Sequence, residues 1–119
     1  GLVKTLHALG GATYPNAPMD GAQVMRLIWR YADGSERTTP VLYGRHLRLW
    51  WDKWDPASEV TSGHIAWTGS NPAAVRLGGR LRLYQFTLDN PRPDLPVASL
   101  QWVGDVCQTM PFIVAMTVE

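Results

Sequence analysis

A single cysteine, Cys107, in 119 residues excludes an intramolecular disulfide, so stability must come from a packed core. Its Val-Cys-Gln setting reads as a buried, inert thiol. Charge is scarce too: Asp, Glu, Lys and Arg make up 18% of the chain and nearly cancel, leaving a net +1. That balance excludes the basic surface that nucleic acids select, and no nucleic-acid partner is expected. Long apolar runs are absent. The longest, Phe112-Ile113-Val114-Ala115-Met116, falls far short of the ~20 residues that cross a bilayer, and the opening residues show no basic-then-apolar leader pattern, so no membrane span is expected. Helical spacing is nearly missing as well. It occurs only in residues 45–53 and just beyond, where Leu47, Trp50, Trp51 and Trp54 recur at three and four residues between Gly44 and Pro56, room for one turn at most.

What the chain has instead is turn formers and tryptophan. Eleven glycines and nine prolines favour many short segments over long helices, and six tryptophans must either fill a core or build a stacking surface. With 45% hydrophobic residues, the whole chain, residues 1–119, reads as one globular domain; the scaling of folded surface with mass gives it roughly 6,500 Å² of accessible area. Residues 24–31 set Val24, Arg26, Ile28 and Arg30 against Met25, Leu27, Trp29 and Tyr31, and residues 36–41 resume the alternation. The Asp33-Gly34 pair between them predicts a β-hairpin. Residues 80–88 alternate Leu81 and Leu83 with Arg82, Tyr84, Phe86 and Leu88, then stop at Asp89-Asn90-Pro91-Arg92-Pro93. Strands are further expected at residues 2–9, 66–68, 97–103 and 112–118. The last is apolar on both faces and is expected in the sandwich interior. Trp29 and Trp102, both within strands, are expected in the core. Six or seven short strands with frequent turns indicate an all-β antiparallel sandwich, of jelly-roll or immunoglobulin type.

Catalysis finds little footing. Asp52 and Asp55 are paired carboxylates, but three-residue spacing in a loop fixes no distance across a pocket and suits solvated or Arg-paired groups. The serines (Ser35, Ser58, Ser62, Ser70 and Ser99) lack a nucleophile elbow. His7, His46 and His64 are too scattered for a zinc signature, and Gly10-Gly11 and Gly78-Gly79 precede strands or turns rather than the helix a phosphate loop requires. No enzyme and no metal are read from the residues. The loop of residues 44–55 is the densest chemical region. Trp50, Trp51 and Trp54 offer flat apolar rings, and Arg45, Arg48 and Asp52 offer hydrogen bonds, the combination a carbohydrate requires; Trp67 and Asn71 on the next loop extend it. The same rings would equally anchor a long loop on the sandwich edge.

Several phrases, taken in order, carry a likeness: Leu6-His7-Ala8-Leu9, Tyr31-Ala32-Asp33-Gly34-Ser35, Tyr43-Gly44-Arg45-His46 followed by Trp50-Trp51, Ala66-Trp67-Thr68-Gly69-Ser70-Asn71, Leu83-Tyr84 with Asp89-Asn90-Pro91-Arg92-Pro93, and Thr117-Val118-Glu119. Over most of its length the chain resembles carbohydrate-binding-module-type domains, the galactose-binding-like jelly rolls attached to bacterial glycoside hydrolases and related secreted proteins. The resemblance implies a non-catalytic accessory module, extracellular or associated with the cell envelope, whose partner is a carbohydrate or a neighbouring domain of a parent protein. A structural or protein-interaction domain without a glycan is the alternative. It further implies a structural calcium as a secondary expectation, with Asp89, Asn90, Asp94 and Glu119 as conceivable donors. Such domains begin with a strand or two that have no counterpart before residues 2–9, so an open edge there, and self-association through it, is expected.

Overall fold

The computed structural model describes residues 1–13, 16–105 and 109–119, and the reading of Cys107 falls outside them. The alternating segments become strands: β1 (Thr5–Thr13), β2 (Gln23–Tyr31), β3 (Glu36–Leu42), β4 (Gly63–Gly69), β5 (Leu81–Asp89), β6 (Val97–Gly104) and β7 (Met110–Val118), with one short helix, α1 (Pro72–Leu77), between β4 and β5. They form two antiparallel sheets, a four-stranded one ordered β4-β5-β1-β7 and a three-stranded one ordered β3-β2-β6. The accessible surface is 6581 Å², as the mass scaling requires.

Period-two alternation decides what is inside. Leu6, Ala8 and Ala12 of β1, Leu27, Trp29 and Tyr31 of β2, and Tyr84, Phe86 and Leu88 of β5 meet between the sheets. The β2–β3 hairpin forms as the alternation predicts. Its turn keeps positive φ for Gly34 alone, while Asp33 Oδ1 accepts from the Ser35 amide, so a four-residue loop replaces the two-residue turn that Asp-Gly suggests.

Four expectations are corrected. Gly10-Gly11 lie within β1, where a Cβ on Gly10 would come within 2.2 Å of the Phe112 carbonyl oxygen, so close strand approach explains them. The helix is at residues 72–77, and residues 45–53 make only turns and isolated bridges. β1 is no open edge, because β5 and β7 flank it on either side. Finally, β7 is an edge strand: Val114 is 59% exposed and Met116 and Val118 are exposed beside it, because no strand among the described residues covers that flank. Trp102, on the neighbouring β6, is accordingly only half-buried, while Trp29 is fully buried.

Candidate functional site

The long connection from β3 to β4, residues 43–62, carries the loop tryptophans, and charged and phenolic side chains fix it from beneath. Buried Arg48 grips Asp20 with both Nη atoms, at 3.0 and 2.9 Å, reaches Asp55 at 3.3 Å, and donates Nε to the Glu59 carbonyl at 2.8 Å. Tyr43 donates its hydroxyl to the same Asp55 carboxylate; burial first, then this bond, pushes its proton affinity well above that of an ordinary tyrosine. Arg82 on β5 donates to the carbonyls of Leu49, Ala57 and Asp55 at 2.8–2.9 Å, and Tyr84 to that of Ser58 at 2.8 Å. A guanidinium suits this task because its fan of donors serves several carbonyls at once.

The loop also enters the sheet. Trp50 donates its amide to Ala12 and accepts from Arg82, so residues 48–52 wedge between the ends of β1 and β5. Trp51 then pairs with Leu81, which pairs on its other side with Gly69. Partners in a row point to one face, so Trp51, Leu81 and the Gly69 position share the outer face of the four-stranded sheet. Trp67, two residues before Gly69 and past the bulge at Ala66, lays its indole over that glycine; a Cβ there would meet the ring at 2.3 Å. Positions 51 and 69 thus flank buried Leu81, about 10 Å apart as two strand spacings require, with the Trp67 indole over the second.

Beside them Trp54 is 51% exposed and packs edge-on against Trp51, ring centres 6.1 Å apart at 74°. Lys53 Nζ lies 5.3 Å from the Trp54 ring centre and donates to the Leu77 carbonyl at 2.7 Å. Trp51 Nε1 donates to the Gly78 carbonyl at 2.9 Å, and Asp52 Oδ1 accepts from the Arg80 amide at 2.7 Å. The aromatic group is therefore held to the C-terminal end of α1.

Of the eight residues expected to form a site, the structure brings together Trp51, Asp52, Trp54 and Trp67. Trp50 turns away to an edge-on contact with Phe112, 6.0 Å between ring centres. Arg48 is committed to its carboxylates. Arg45 bonds Ser62 and lines a separate cleft of about 290 Å³ with His46, Leu42 and Asp89. Asn71 caps α1, its Oδ1 accepting from the Ala74 amide at 2.8 Å. Lys53, Leu81, Gly69 and Gly78 were missed, although Asn71-Pro72, a capping residue before a proline, is the sequence signal for the helix that positions Gly78.

The sheet's outer face continues from Trp67 into a shallow depression of about 220 Å³ lined by His7, Leu9, Ala66, Gln85, Ala115 and Thr117 among others. His7 closes its far end, bonded to Thr87 and Glu119 at 2.9 Å each, and the His7 bond, followed by that from the Thr5 hydroxyl, holds the Glu119 carboxyl below its usual range. Two of the conceivable calcium donors are spent within the fold: Asn90 is buried and uses its amide on Val3, Tyr31 and Arg92, while Glu119 serves His7 and Thr5. No family model matches this chain, and neither the curated proteins nor the solved structures contain a match to it.

Proposed function

We propose that this domain is a non-catalytic carbohydrate-binding module of a larger extracellular or envelope-associated bacterial protein, and that the glycan lies across Trp54, Trp51 and Trp67. One observation carries the reading: three indoles, all at least partly exposed, lie in one region and each has a contact within the fold that positions it. Trp51 is held by Gly78, Trp67 rests on a position that only glycine can occupy, and Trp54 is braced by Trp51 and Lys53. Pre-set rings lower the ordering cost of stacking on the C–H faces of sugars. Asp52 and Lys53 stand beside them for hydroxyl groups. A ligand that touches both Trp51 and Trp67 spans about 10 Å, so it is an oligosaccharide rather than a monosaccharide.

Stacking on exposed rings contributes about 1 kcal/mol each beyond area burial, so affinity falls in the micromolar to millimolar range. Affinity electrophoresis against a panel of soluble polysaccharides tests the reading, with Trp54→Ala as the paired variant. Retardation by at least one glycan, lost in the variant, is expected; no retardation by any glycan overturns it. The rival, a protein-contact domain, draws on the exposed Val75 and Leu77 of α1. It predicts that Val75→Asp abolishes partner binding, whereas the glycan reading predicts that this change is silent.

A further inference from the structure

The two long flanks of the sandwich are finished differently. On one, residues 43–62 run from β3 to β4 and close the gap. On the other, β6 and β7 end their sheets with no strand beside them among the described residues. Edge strands in stable monomers are guarded by charges, prolines or bulges. β3 has Glu36, Arg37 and Pro40, all exposed. β6 and β7 together contain no Asp, Glu, Lys, Arg or His, and their one proline, Pro111, stands at the very start of β7, leaving the rest of the edge unguarded by proline. Their bulges, at Ala98 and Val114, leave residues 99–104 and 115–118 in regular pairing. Met116 and Val118 register with Ala8 and Leu6, both buried, so they point to the core side of the sheet and yet are 46% and 49% exposed. Trp102 Nε1 leans to the Met116 sulfur at 3.4 Å, still half-open to solvent.

We propose that this flank is the surface on which a second copy of the chain docks, β6 and β7 of one copy against the same strands of its partner about a two-fold axis. A two-fold contact sets each surface against itself, so it suits a patch without charge, which meets no like-charge repulsion on self-pairing. The size is adequate. A nine-residue strand is about 30 Å long and two packed sheets with their side chains about 20 Å thick, giving on the order of 600 Å² per copy and 1,200 Å² in all, the lower end of specific interfaces. Dimerisation in the micromolar range is expected. Because β1 is interior, association proceeds through β6 and β7 and not through residues 2–9.

Sedimentation equilibrium of the whole chain from about 1 to about 200 µM tests this. The mass is expected to rise from one copy to two, and Val114→Lys or Val118→Lys to weaken the dimer at least about tenfold, while Val75→Lys on α1 leaves it unchanged. A wild-type chain that stays single throughout, a dimer indifferent to both lysines, or assemblies growing beyond two copies would each overturn the proposal. Should a lysine variant fail to fold by near-ultraviolet circular dichroism, hydrogen exchange of the wild type decides: protection of the β6 and β7 amides must rise with concentration, and concentration-independent exchange refutes the contact.

Discussion

The closed flank and the open flank are built from opposite materials. The closed one holds four of the six buried polar residues among those described: Arg48, Asp55, Arg82 and His46 are nearly inaccessible and each has a partner. The open one exposes four large hydrophobic residues along a single strand, Met110, Val114, Met116 and Val118. Residue type alone would have assigned them the other way round. Burial follows from coverage: a long loop that must be ordered carries backbone carbonyls needing donors, and arginine supplies them, whereas an edge strand without a neighbour stays wet whatever its side chains.

The comparison breaks most severely at Arg82. Replacing it with alanine leaves the carbonyls of Leu49, Asp55 and Ala57 without their donor beneath the loop, at a cost of about 3–5 kcal/mol. Urea unfolding should show that loss, and the tryptophan emission of the folded variant should shift to the red as Trp50, Trp51 and Trp54 lose their support. An unfolding midpoint near that of the wild type would mean that the loop is held by its apolar contacts alone.

His46 sharpens the same flank through pH. Burial first, then the neighbouring Arg45 charge, lowers its pKa from 6.5 to about 4, and in its neutral form Nδ1 accepts from the Leu42 amide. The folded state therefore resists a proton that the unfolded chain accepts. This stability is complete above pH 6.5 and is lost as the pH falls through 4, amounting to roughly 2–3 kcal/mol over that window. A His46→Asn variant should be less stable at pH 7 and lose less on acidification; an equal acid loss in both proteins would assign the effect to the carboxylates.

Much of the fold was legible because period-two alternation is a local signal. The β2–β3 hairpin and the two faces of β5 follow directly from residues 24–41 and 80–88. The errors at β7 and at residues 2–9 share a cause: an apolar run specifies a strand, but whether the strand is central or at an edge depends on pairings distant in sequence. The site was half legible. Loop tryptophans announce themselves, but Trp67 joins Trp51 only through the Leu81 row, which sets residues 51, 81 and 69 side by side, with the Trp67 ring laid over Gly69. Arg48 looked like a ligand contact because sequence does not show that Asp20, 28 residues away, comes back to claim it.

Gly69 links the flank's architecture to the proposed site at smaller cost. Alanine there would drive its Cβ into the Trp67 ring, so the indole must leave the sheet face, costing about 1–2 kcal/mol. Glycan retardation should fall in Gly69→Ala nearly as far as in Trp67→Ala. Full retention of binding would remove Trp67 from the site and leave Trp54 and Trp51 as the whole platform.

The smallest effect belongs to the open flank. Val114 sits in the bulge of β7, where the register with β1 skips it, and most of its side chain is in water. Val114→Thr keeps the β-branched shape that a strand prefers and exchanges a wet methyl for a hydroxyl, so the monomer should change by no more than about 0.5 kcal/mol. The same exchange at Leu27, fully buried in β2, should cost several times as much through lost burial and an enclosed hydroxyl. Thermal melts at low protein concentration isolate the monomer from any second copy. If Val114→Thr there proved as damaging as Leu27→Thr, β7 would be covered in solution by part of its own chain, and the contrast between the flanks would vanish; a negligible change locates the whole value of those exposed side chains in what they contact outside the monomer.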